Sequence, residues 1–513
     1  MGRAGWRVLW APDLGVLAFS FTVFYALAAF DGPRKLFRDA DTGWHIRNGE
    51  SILATGRLPE RDPYSFSRHE ETWFAWEWGA DILMGAAHRW RGLRGVTLLF
   101  AAALGACSWL WVRLTWATGG DFLIACALAS PMLSTANLHW LARPHVFSWI
   151  FLLAALLAAE RDWGRFRARH GLAIVVGSAL WANMHASFFF GPLLTLTYAA
   201  GSWLRAHLWE TDEAVERRRQ VWLLWAAAWS AAGTLLTPYG WKLHAHVYGY
   251  LSDRELLQQI GEFQSFNFHV EGASQILLAL AVAAVGGVLA LGQRRAEHFL
   301  LAAVVLAMAV RSARALPLTA LMLLPLANGA ITQALTGWQT ARPEWRARLD
   351  AFFRYSGNLR RLELGSGGYA WLPLVCLAAY CWLATPAVAA RTGFPMDQFP
   401  VEAASALEEL PAEARLLAPD KFGGYLIYRF NARRKVFFDG RSDFYGAAFM
   451  RRYIRLVQMR PGWAQTLDEF RFTHALLPND YSLVDGLQRL GWTVLHRDGT
   501  ATLLARQAVS ARG

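Results

Sequence analysis

Charge is scarce in this sequence. Asp, Glu, Lys and Arg make up only 18% of its 513 residues, against 55% for hydrophobic types, whereas an ordinary soluble domain carries about a quarter charged residues. A soluble globule is therefore excluded for most of the chain, which reads as a polytopic membrane protein with something soluble attached. Cysteine is scarcer still. Cys107, Cys126, Cys376 and Cys381 lie inside apolar segments without disulfide or zinc spacing, so they read as small buried hydrophobes rather than as a framework or structural metal site. The chain lacks internal repeats and low-complexity tracts. It also lacks a phosphate loop, because Gly423-Gly424 is neither followed by Lys-Ser/Thr nor preceded by a glycine fingerprint. The formal net charge is +12, but the basic residues sit in short loops rather than in one patch, which argues against a nucleic-acid partner.

Apolar runs dominate what is present. The first, roughly 8–30, follows Arg3 and Arg7. Ala26-Leu27-Ala28 resembles a cleavage site, but the length of the run and the many later spans make it an uncleaved first helix. Further runs near 95–116, 121–138, 144–160, 171–185, 187–204, 221–237, 274–292, 297–310, 315–335 and 369–390 bring the expected total to about eleven spans. The pair 171–204 can equally be one broken or re-entrant element. With the N-terminus cytoplasmic, alternate connections carry Arg161, Arg165, Arg167 and Arg169; Arg205 and Arg217 to Arg219; Arg294 and Arg295; and the six arginines of 336–368. That pattern satisfies the positive-inside rule and turns loop 31–92 and the C-terminal segment outward.

The expected fold is thus an α-helical membrane region over 1–393, including loop 31–92, followed by a soluble, extracytoplasmic α/β domain over 394–513. In the loop, helices are expected at 42–54, with Asp41 near its N-cap, and at 72–90, an amphipathic stretch with Trp73, Trp76 and Trp78 at one end. In the domain, strands are expected at 414–419, 435–440, 473–478 and flanking Asp498-Gly499, with helices at 399–410, 422–430, 445–458, 463–470 and 481–490.

Asp39-Ala40-Asp41-Thr42-Gly43-Trp44-His45 places two carboxylates where the chain leaves the first apolar run. Spacing i, i+4 sets Asp41 and His45 on one helix face, so the group can be a general base, a divalent-metal ligand set of Asp39, Asp41 and His45, or only a helix cap. Four further groups fall on the same outward side: His139, Arg143 and His145; Asn183 and His185; Tyr239, Lys242, His244 and His246; and Arg311 with Arg314. Ionisable groups at membrane depth are costly and usually face a polar cavity. Singly they have plain alternatives, as snorkelling cations or interhelical hydrogen bonds. Together they fit binding of a phosphate beside a carboxylate that deprotonates a hydroxyl. In FFDGRSDFYG, Asp439, Arg441 and Asp443 read first as turn chemistry, and otherwise as a cap on that cavity.

The acidic RDADTGWH after a first helix, the two loop helices and the outward C-terminal unit resemble the GT-C superfamily of integral-membrane glycosyltransferases, including bacterial protein mannosyltransferase and aminoarabinose transferase relatives. DTGWHIRNGE, ARPHVF, NMHASF, TPYGW and EFQSFNF look like a separate bacterial branch of it. The resemblance implies sugar transfer from a polyprenyl-phosphate donor to a lipid, glycan or protein acceptor at the outer face of a bacterial inner membrane. Asp41 would be the catalytic acidic residue, aided by Asp39 and His45, with Arg143, His145, His185, Lys242, Arg311 and Arg314 toward the donor phosphate. A Mg or Mn ion could assist, and no obligate protein partner is implied. No Glu stands beside either Asp, unlike the Asp-Glu pair of the mannosyltransferases. The rival readings are a transporter or lipid translocase, for which matching inverted halves are missing, and a non-catalytic membrane scaffold.

Overall fold

The computed structural model describes residues 3–161, 164–338 and 342–507. Each apolar segment expected to cross the membrane contains a helix, beginning with Leu14–Ala28 and ending with Trp371–Ala384. Among the described residues, Trp78–Ala117, Phe122–His139, Ala273–Gly292 and Ala313–Gly337 are long and apolar enough to cross a membrane, and Leu14–Ala28, His145–Ala159 and Trp371–Ala384 are shorter apolar helices. Several begin at an aspartate cap. Asp121 accepts from the N–H groups of Leu123 and Ile124 at 2.9 and 3.1 Å, satisfying donors that have no partner inside the helix. The segment 171–204 is two helices, Ala168–Met184 and Phe190–Leu208, broken by a 3₁₀ turn at Ala186–Phe189.

Asp41 opens helix Asp41–Thr55 beside its N-cap Ala40, as expected, whereas the second loop helix starts at Trp78, not 72. That second helix runs on into the membrane through a break at Arg91–Gly92, where Gly92 has φ 60°, a conformation glycine adopts without strain.

The C-terminal domain carries a four-stranded sheet of β1 (Leu416–Leu417), β2 (His474–Pro478), β3 (Thr493–Arg497) and β4 (Ala501–Ala505), in the order β1-β2-β4-β3. β1 runs parallel to β2, and β3 and β4 form the expected hairpin. The expected strand 435–440 is not in the sheet. Val436 instead bridges Ser65 of the first loop, exchanging hydrogen bonds of 2.9 Å with Tyr64 and Phe66. The expected helix 399–410 shrinks to Ala403–Ala406 followed by a 3₁₀ turn.

The loop and the domain are locked together. Gly43 lies against the Gly424 carbonyl so closely that a side chain at either residue would collide with the other helix's backbone. Buried Arg441 bonds Asp439 through Nη2 at 2.7 Å and forms an ion pair with Asp62, Nη1 lying 2.8 Å away, with its guanidinium 4.6 Å from the Trp73 ring centre. Asp439 and Arg441 therefore serve the join between domain and loop.

Candidate active site

A 3₁₀ turn at Gly32–Phe37 carries the chain from the first membrane helix to Asp39, whose Oδ1 accepts the Asp41 N–H at 2.8 Å. The loop between helices Phe122–Ala136 and His145–Ala159 is tied to this turn. Ala142 donates its N–H to the Leu36 carbonyl at 2.8 Å, and the Thr42 hydroxyl donates to the Ala142 carbonyl at 3.0 Å. Those two bonds set Arg143 beside both aspartates. Its Nη1 lies 2.7 Å from Asp39 and 3.1 Å from Glu262, and its Nη2 lies 2.9 Å from Asp41. Arg314 reaches the other oxygen of Glu262 at 3.4 Å.

Three carboxylates thus share one guanidinium, with a second cation on Glu262 alone. Burial pushes the Asp41 carboxyl up to about 7; Arg143 opposes the rise, and the charges of Asp39, Asp439 and Glu262 add to it. For Glu262 burial acts in the same sense, but Arg314 and then Arg143 outweigh it and hold this carboxyl below the usual range. Asp41 is consequently the carboxyl of the cluster that exchanges its proton near neutrality.

A second cluster lies one helical turn along. His45 Nδ1 meets Asp81 at 2.6 Å, Asn48 donates to the other Asp81 oxygen at 2.6 Å, and Glu77 lies 3.8 Å from His45 Nε2 and 3.6 Å from His185. Burial keeps His45 well below the usual histidine range, so its ring is neutral. Burial, then the charge of Asp81, pushes Glu77 up to about 8. The expected pairing of Asp41 with His45 is therefore corrected: each has taken another partner, Arg143 for one and Asp81 for the other. A divalent cation held by Asp39, Asp41 and His45 does not fit, since a guanidinium already bridges the two aspartates and the imidazole is turned to another helix. Among the described residues no group of His, Cys, Asp and Glu is arranged to hold a metal.

Two cavities meet at Asp41. One, of about 630 Å³, takes in Glu77, His145, His185, Arg311 and Arg314 and passes between Trp149, Leu152, Met308 and Leu318 of the membrane helices. The other, of about 740 Å³, is polar and lies under the C-terminal domain, with Arg38, Asp420, Lys421, Asn479, Asp480 and Thr500 in its walls. Asp41, Arg143, Glu262 and Arg314 line both. Gly440 and Ser442 also belong to both, and Asp443 lines the first, 2.9 Å from His246. A Cβ at Gly440 would collide with the Asp41 carboxylate, so the domain closes directly over that side chain.

No protein-family model matches the chain, and no curated protein matches it by sequence. Solved structures do match. The oligosaccharyltransferase AglB of Archaeoglobus fulgidus, in complex with an inhibitory peptide and a dolichol-phosphate, superposes with a TM-score of 0.55 at 11% identity, over 90% of this chain and 69% of that one. The chain shares the fold of this archaeal enzyme. The same archaeal enzyme in its apo form gives 0.53 at 12% identity, over 91% and 69% of the two chains. ArnT from Cupriavidus metallidurans in the apo state gives 0.47 at 14%, over 96% and 97%.

On this scaffold Asp39, Asp41, Arg143, His145, His185, Arg311 and Arg314 converge on the two joined cavities. Lys242 is exposed and lines neither; His246, one turn on, lines neither as well and pairs with Asp443. Glu262, Glu77 and Asp81 are site residues that sequence reasoning passed over. Each is a lone acid whose partners lie on other segments, so no spacing marks it, although Glu262 heads the EFQSFNF stretch.

Proposed function

We propose that this protein is a glycosyltransferase that moves a sugar from a polyprenyl-phosphate-linked donor to an acceptor at the outer face of a bacterial inner membrane. The observation that carries this reading is the meeting of an apolar cavity from the membrane with a polar cleft from the soluble domain at one buried carboxylate–guanidinium pair. The archaeal enzyme of like fold was solved with a dolichol-phosphate, which supports a lipid-phosphate donor. The donor's lipid lies between Trp149 and Leu318, with its phosphate toward Arg311 and Arg314, and a lipid, glycan or protein acceptor enters through the cleft beside Asp39.

Asp41 takes the proton of the acceptor hydroxyl. The freed oxygen bonds to the anomeric carbon as that carbon's bond to the phosphate oxygen breaks, and the electron pair leaves on the phosphate. Arg314 and Arg143 offset the negative charge that develops there. Asp39 and Glu262 hold Arg143 in place. A carboxylate whose proton affinity sits near neutrality is suited to this role.

The test is transfer of radiolabel from a polyprenyl-phosphate sugar to an acceptor by the full-length protein in liposomes. Asp41→Asn is expected to lower transfer by about 10²–10⁴-fold with membrane insertion intact. Full activity in that variant overturns the assignment of Asp41, and uptake of solute without transfer overturns the reaction class.

A further inference from the structure

A third cavity, of about 1430 Å³, lies at the other end of the helix bundle. Its place follows from the helices that join the two ends. His145–Ala159 starts at the Asp41 cavity with His145 and ends with Ala159 in the third, while Ala168–Met184 starts in the third and returns to His185. The latter helix has 17 residues, about 26 Å of rise, close to a bilayer's hydrocarbon core of about 30 Å. The two cavities thus lie at opposite ends of these helices.

Arg161, Arg165, Arg167, Arg217, Arg218 and Arg219 line this groove, with Glu160 the one acid among the described lining residues. That acid is already engaged, by His298 at 2.7 Å, by Arg295 at 3.3 Å and by the Tyr198 hydroxyl. Glu297 bonds Arg205 and lies 3.8 Å from Arg219, and Glu216 pairs with Arg205 at 2.8 Å. Arg165, Arg167, Arg217 and Arg218 are exposed and form no ion pair among the described residues. Below them the groove is walled by Phe166, Val221, Trp222, Trp225 and Trp229, and Trp225 and Trp229 are 53% and 41% exposed on the membrane helix. A loop that only obeys the positive-inside rule needs cations but no such recess. Here unpaired guanidiniums, suited to bidentate phosphate contacts, stand over aromatic rings of the kind that favour the membrane interface.

We propose that this groove binds the phosphate headgroup of an anionic membrane phospholipid, in the leaflet opposite the Asp41 cavity, with the acyl chains along Trp225 and Trp229. The site is independent of the transfer reaction.

The test titrates the full-length, detergent-solubilised protein with phosphatidylglycerol, or with phosphatidylcholine of the same chains, and reads bound lipid by native mass spectrometry. Phosphatidylglycerol is expected to bind preferentially. Arg217→Ala/Arg218→Ala, which removes two exposed side chains and no ion pair, is expected to weaken its binding about twentyfold, and each single replacement about fivefold. Arg348→Ala/Arg354→Ala, on helix Pro343–Leu362, should leave it unchanged. Equal binding of the two lipids, or equal loss in the two double variants, overturns the proposal. So does inorganic phosphate that displaces the lipid and itself binds through Arg217 and Arg218, which would make the groove a site for a soluble anion.

Discussion

Asp41 shares its guanidinium with Asp39 and Glu262 and carries a carboxyl pushed up to about 7. Only the ionised form accepts a proton, so the rate of transfer is expected to rise with pH through about 7. Replacing Glu262 by Gln removes a negative charge that raises Asp41, and the acid limb of the pH–rate profile should move to lower pH; Arg143→Gln should move it higher. A limb that stays put in both variants would detach the profile from Asp41. Gly440→Val should press a side chain onto the Asp41 carboxylate, costing about 1–3 kcal/mol of stability and most of the activity, read by thermal melting and transfer assay. At this scale Asp39, Asp41 and Arg143 were legible, since charge at an apolar boundary must go somewhere polar. The i, i+4 spacing correctly put Asp41 and His45 near one another on a helix, but Asp81 on the neighbouring helix takes the histidine, and no single-helix pattern encodes that choice.

The same limit governs the elements. KVFFDG has the composition of a strand, yet Val436 pairs with Ser65 some 370 residues away, roughly a loop-closure problem that local propensity does not address. β2, β4 and the β3–β4 hairpin were legible because their apolar runs end at turn residues. The helix expected at 72–90 starts only at Trp78, and Trp73 instead packs under Arg441. Arg441 neutralises Asp62 and Asp439 in a buried site. Arg441→Ala should therefore cost about 3–5 kcal/mol and loosen the domain from the first loop, seen as faster proteolysis between residues 394 and 442. Unchanged protection would mean that the two carboxylates need no counter-charge.

For the whole molecule, hydropathy located a helix in each expected span. What it could not give is the interlock of first loop and C-terminal domain, on which the two-sided site depends. The proposed orientation makes Glu413 extracytoplasmic and Ala214 cytoplasmic. A membrane-impermeant maleimide applied to intact spheroplasts should label Glu413→Cys but not Ala214→Cys, with the unsubstituted protein as control for Cys126 and Cys381, which are exposed on the helix bundle. Labelling of Ala214→Cys alone would invert the topology. The measurement that bears most directly on the account is a cryo-electron microscopy map of the protein with a polyprenyl phosphate bound. The account predicts phosphate density beside Arg311 and Arg314, facing Asp41, with the chain running past Trp149 and Leu318. Phosphate density away from those arginines, with the Asp41 cavity empty of lipid, would contradict it.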